Sequence, residues 1–171
     1  MRKRTHRIFS YQGLRTNTDF AKQATVLAKR LSKNTQGNNN ALILINAGWL
    51  YDQWALIASI KRKKVYQEKA VIFFNQALRK GASKESVYNG LGTVALHKEA
   101  YKKALGYYKK VHILRKDSRS YNALGNVYRR MKKYTLAEKH YRAALRLAKH
   151  PLEKSAADFN LEQLKNEMSK K

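Results

Sequence analysis

The strongest constraint on this chain is an internal repeat. Residues 88–114 (YNGLGTVALHKEAYKKALGYYKKVHIL) align without a gap on residues 121–147 (YNALGNVYRRMKKYTLAEKHYRAALRL) at an offset of 33. The aligned pairs include Tyr88/Tyr121, Asn89/Asn122, Leu91/Leu124, Gly92/Gly125, Val94/Val127, Tyr101/Tyr134, Ala104/Ala137 and Tyr108/Tyr141. In the second copy, Leu124, Val127, Tyr128 and Met131 form one apolar stripe, and Tyr134, Ala137, Tyr141, Ala144 and Leu145 form another. Both follow helical i, i+3, i+4, i+7 spacing, with a polar kink between them. Each copy therefore reads as two short helices joined by a tight turn. Gly125, Ala137 and Ala144 are small where those helices must touch. A period near 33 implies stacked units, because one helix pair cannot bury its apolar side alone.

These residues resemble the tetratricopeptide repeat family. That family's pattern is an aromatic, Leu-Gly three residues on, a second aromatic, then a Tyr-x-x-Ala-x-x-x-aromatic-x-x-Ala run. The last copy supplies it as Tyr121, Leu124-Gly125, Tyr128, Tyr134, Ala137, Tyr141 and Ala144. The copy before departs at Ala95 and Val111, and is one residue short of the usual 34. The expected proline is replaced by Lys116 in one copy and arrives late, as Pro151, in the other. The resemblance implies an all-α solenoid of about three helix hairpins, over 41–84, 85–117 and 118–150. A basic arm (1–18), a leading helix and linker (19–40) and a capping helix (151–171) would flank them.

The first hairpin is the least regular. Gly48, Tyr51, Ala70, Phe74 and Ala77 resemble family positions, but Gly48 and Ala70 are 22 residues apart, against 12 for Gly92 and Ala104. Dividing the extra ten residues between two helices lengthens each by about five residues, roughly 7 Å. That would place Lys61-Arg62-Lys63-Lys64 at a projecting tip. The stretch 41–60 is also as long and apolar as a membrane span. Asp52 near its middle would cost about 3 kcal/mol, with Asn46 and Gln53 adding to it, while each Leu or Ile returns only about 0.5. It reads as a buried repeat helix, and the protein as cytoplasmic.

The flanks follow local signals. Thr18-Asp19 can cap a helix to about Lys33 with Phe20, Ala24, Leu27, Ala28 and Leu31 on one face. Asn34–Asn40 reads as a polar linker, and Gly81 suits a left-handed stop. Further helices are expected over about 84–97, 101–115, 118–131, 134–149 and 152–168. No period-2 alternation predicts a strand.

Composition narrows function. The 171 residues include no Cys and one Pro, so neither a disulfide framework nor a thiolate metal site is available. No phosphate-binding Gly-rich loop, nucleophile elbow or zinc-protease motif occurs, and the five His are scattered, so no enzyme, cofactor or metal site is expected. The net charge of +26 favours nucleic acid, an acidic protein or an anionic membrane surface. The Arg-rich, acid-poor residues 1–18 fit a basic arm, a solvated tail or an organellar transit peptide. Seven of the eleven tyrosines fall at repeat packing positions, so aromatic content argues little for base stacking.

The family's first helices line a concave, ligand-binding side. The resemblance places Asn89, Thr93, Leu96, His97, Arg119, Asn122, Asn126, Arg129 and Arg130 there. Asn amides can grip an extended peptide, and Arg can pair a carboxylate. The expected function is thus a non-enzymatic adaptor holding an acidic protein segment. The chaperone-binding clamp of some relatives is not expected, since its Lys and Asn places hold Ile45 and Trp49. The alternative is an RNA-associated protein, a ribonucleoprotein component or assembly factor. There Arg2, Lys3, Arg4, Arg7 and Lys61, Arg62, Lys63, Lys64 would neutralise phosphates. A membrane-surface role ranks below both.

Overall fold

The computed structural model describes residues 39–169 and Val26. Apart from Val26, the leading helix over 19–33, the basic arm and its Arg2, Lys3, Arg4 and Arg7 lie outside the described residues. The described chain is α1 (Asn39–Ile57), α2 (Ile60–Arg79), α3 (Lys84–His97), α4 (Tyr101–Leu114), α5 (Ser118–Arg130), α6 (Tyr134–Leu147) and α7 (Pro151–Met168). No strand occurs among the described residues. Three hairpins, α1/α2, α3/α4 and α5/α6, stack in chain order, and α7 packs on α6 and α5. The first helices α1 and α3 touch, as do α5 and α7, whereas no two second helices approach comparably. At those two steps the first helices form the closer-packed, inner side of the array, while α3 and α5 do not approach comparably.

The first hairpin is extended, though unevenly. Connection 58–59 is two residues long. α1 runs nine residues past Gly48, where α3 runs five past Gly92, and α2 has ten residues before Ala70, where α4 has three before Ala104. The added length therefore falls mostly on α2. Helix α1 also starts at Asn39, two residues earlier than the linker reading gives. No helix among the described residues is long and apolar enough to cross a membrane.

The repeat is visible at atomic level. The Tyr108 ring lies where a Cβ on Gly92 would stand 3.0 Å from it, and the Tyr141 ring stands 2.5 Å from the same point on Gly125. Phe74 takes this place in the first hairpin, at 2.9 Å from a Cβ on Gly48. Any side chain at these glycines would force the helices apart. Ala70, Ala104 and Ala137 are wholly buried beside these rings. Tyr51 and Tyr66 are buried too; Tyr51 stacks on Phe73 at 5.4 Å and meets Trp54 edge-on at 5.2 Å. Tyr88 and Tyr121 are half-buried in ring contacts with Tyr107 and with His112 and His140.

The turns repeat as well. Ala100 N–H donates to the Ala95 carbonyl and Lys133 N–H to that of Tyr128, each 2.9 Å. The residues just before, Glu99 (φ 59°) and Lys132 (φ 57°), are left-handed without being glycine, while Gly81 closes α2 at φ 80°. A side chain in this conformation costs about 1–2 kcal/mol. Replacing Lys132 by Gly is expected to raise unfolding stability by about 0.5–1 kcal/mol in a urea titration, Gly's own chain entropy offsetting the rest. Helix α5 starts from a reciprocal cap: Asp117 Oδ1 accepts from Ser120 N–H at 3.0 Å, and Ser120 Oγ accepts from Asp117 N–H at 3.2 Å.

Candidate functional site

The inner row carries all nine residues expected to line a groove, but most are already bonded within the chain. On α3, Thr93 Oγ1 donates to the Asn89 carbonyl at 3.0 Å, leaving its lone pair for the Tyr108 hydroxyl at 2.8 Å. One repeat later, the Tyr141 hydroxyl donates to Asn126 Oδ1 at 2.7 Å. Burial raises the pKa of both phenols, that of Tyr141 to about 12. Thr93 and Asn126 thus satisfy the polar tips of the two tyrosines that fill the hairpin cores. His97 Nδ1 lies 3.0 Å from Oδ1 of Asp52, a carboxylate with 0 % exposure whose other oxygen has no partner among the described residues. This pair joins α3 to α1.

On α5, Arg119, Asn122 and Arg129 are brought together against α7. Arg119 Nε meets Glu153 Oε1, Asn160 Nδ2 donates to Asn122 Oδ1, and Arg129 Nη1 meets Glu167 Oε1, each at 3.0 Å. Glu153 also accepts from Lys149 N–H at 3.0 Å; that bond first, and Arg119 second, hold its carboxyl below the usual carboxylate range. Glu153, Asn160 and Glu167 are spaced by seven residues, so they form one stripe of α7 laid along α5. Arg130 is exposed and enters no ion pair among the described residues, and Asn89 is half-buried. The other histidines of the repeats are packing groups. His112 Nδ1 lies 3.0 Å from Ser120 Oγ, and His140 stacks on Tyr128 with its pKa lowered, chiefly by burial.

Charge divides by helix position. The inner helices together carry no net charge: α1 carries −1, α3 zero, α5 +3 and α7 −2. The second helices carry +5 on α2, +4 on α4 and +2 on α6. Lys61, Arg62, Lys63 and Lys64 occupy the first turns of α2 beside the 58–59 connection, all exposed. Among the described residues every ion pair uses Arg or His, and no Lys enters one. The lysines of α4 escape a reading by segments along the chain; comparing first with second helices of each hairpin would have exposed them.

Tandem antiparallel helix pairs, each locked by an aromatic ring seated on a glycine, define an α-solenoid. Residues 118–151 match the tetratricopeptide repeat family model. The array is also similar to the crystal structure of TTC0263, described as a thermophilic tetratricopeptide protein of Thermus thermophilus. That match has a TM-score of 0.65 at 21 % identity, over 82 % of this chain and 70 % of that one. Two MamA structures are more distant. MamA AMB-1 has a TM-score of 0.45 at 15 % identity, over 86 % of this chain and 82 % of that one. An RS-1 double mutant has a TM-score of 0.44 at 17 % identity, over 90 % and 98 %. No curated protein sequence matches. Residues 118–151 are thus similar to a tetratricopeptide repeat, and the described array has the fold of stacked tetratricopeptide hairpins.

Proposed function

We propose that the protein is a non-enzymatic adaptor that holds a segment of a partner protein along its inner row of first helices. The partner's acidic side chains, or a C-terminal carboxylate, would meet α5. One observation carries this reading. The chain's own α7 already lays two carboxylates and an amide along α5, on Arg119, Arg129 and Asn122. That supports an α5 surface whose chemistry suits acidic and amide groups, since guanidinium forks and amides pair with them. Arg130 and Asn89 extend the same row where α7 does not bond them.

The test is a chemical-shift map of the isotope-labelled protein titrated with a glutamate-rich peptide bearing a free C-terminal carboxylate. Shifts are expected at Asn89 and through Asn122–Arg130, and Arg130→Glu should weaken binding by about tenfold, the equivalent of about 1.4 kcal/mol. Shifts confined to the second helices, or none, would count against an inner binding row.

A further inference from the structure

Among the described helices the first helices and α7 together carry no net charge, whereas the second helices of the hairpins carry +11. Helix α4 holds four lysines and no acid. Lys102, Lys103, Lys109 and Lys110 are the i−4, i−3, i+3 and i+4 neighbours of Gly106, which are the positions that share a helix surface with it. All four are exposed, and a Cβ on Gly106 would meet nothing within 4 Å. The result is a bare patch of helix backbone ringed by ammonium groups. Nothing in the fold requires the glycine, which disfavours helix by nearly 1 kcal/mol relative to Ala. Nearby carboxylates do not neutralise the ring. Glu85 is bound to Arg115 at 2.9 Å, Asp117 to the same Arg115 at 2.9 Å, and Glu99 in the preceding turn makes no ion pair among the described residues. Lys110 leans over the rings of Tyr88 and Tyr107, at 5.1 and 5.8 Å.

The same surface continues one repeat on. The α4 stripe Lys102, Gly106, Lys109 has its counterpart at an offset of 33 in Thr135, Lys139 and Arg142 of α6, followed by Arg146. These are exposed as well, and the single acid of α6, Glu138, pairs with Arg142 at 2.8 Å.

We propose that the outer face of α4 and α6, centred on Gly106, binds the sugar–phosphate backbone of a nucleic acid. Cations of one sign spread over two successive helices fit a polymer of regularly placed phosphates. Such contacts position a chain without reading its bases. The missing side chain at Gly106 lets a phosphate approach the helix while several ammonium groups reach it. An acidic polypeptide or an anionic membrane is the competing occupant.

The experiment measures binding of a labelled mixed-sequence RNA over a salt series, beside polyglutamate and phosphatidylserine-containing vesicles. Wild-type affinity for RNA should fall linearly on logarithmic axes, and Lys102→Gln/Lys103→Gln/Lys109→Gln should reduce that slope by roughly 2–3, one phosphate contact per residue. Gly106→Glu sets a carboxylate at the centre and should cost about tenfold in affinity. Because Glu favours helix over Gly, a melting curve at or above wild type will show that the fold is kept. Unchanged RNA binding in a folded Gly106→Glu variant, or tighter binding of polyglutamate or vesicles than of RNA at the same salt, would overturn the proposal.

Discussion

Replacing Phe74 by Ala is expected to lower the unfolding free energy by about 3–5 kcal/mol. The side chain is wholly buried on α2 and is one of the largest in the core. It touches two neighbouring helices: its ring meets Trp49 of α1 edge-on at 5.4 Å, and it fills the space above Gly48 of α1 and Gly90 of α3. Truncation would open a void across the boundary between the first and second hairpins. In a stacked array each unit is stabilised through its neighbour, so damage at a boundary also weakens coupling. Urea unfolding should therefore become broader or biphasic, with the first hairpin melting early. A variant within about 1 kcal/mol of wild type that still unfolds in one step would show that the hairpins are joined elsewhere.

His97→Ala is expected to destabilise by a similar amount, about 3–5 kcal/mol. The reason is electrostatic. Asp52 is fully buried on α1, and His97 is the one hydrogen-bonding partner the structure gives its side chain among the described residues. Removing the imidazole leaves a carboxylate in a low-dielectric interior without that donor. The double variant Asp52→Leu/His97→Leu should recover most of the loss, because replacing both partners by apolar groups removes the stranded charge. If His97→Ala and the double variant melt alike, the pair is not what holds Asp52.

Repetition decided what was legible in the sequence. Helices α3 to α7 were readable to within two residues because Tyr88, Gly92, Ala104 and Tyr108 recur 33 residues on, and packing enforces that period. In the first hairpin the repeat positions stop at Tyr51 on α1 and resume at Ala70 on α2, so the total extension was readable but its division between α1 and α2 was not. Asp52 could be read as polar in an apolar run, but not as paired, since His97 lies 45 residues away and no local pattern links them. The α5 arginines looked open for a related reason. Their partners sit on another helix, and only the seven-residue spacing of Glu153, Asn160 and Glu167 hints at a stripe that could reach them. Left-handed Glu99 and Lys132 gave no signal, because that conformation ordinarily selects glycine.

The overlong first hairpin has a mechanical consequence. Four extra residues on α1 and seven on α2 carry the 58–59 connection beyond the neighbouring turns by about 6–10 Å of helix. Lys61–Lys64 therefore ride on a short boom that reaches past the neighbouring turns. The added length is packed rather than bare, since Trp54, Ala55 and Tyr66 are buried within it, so the boom is braced by its own share of the core and holds those four charges out from the neighbouring turns.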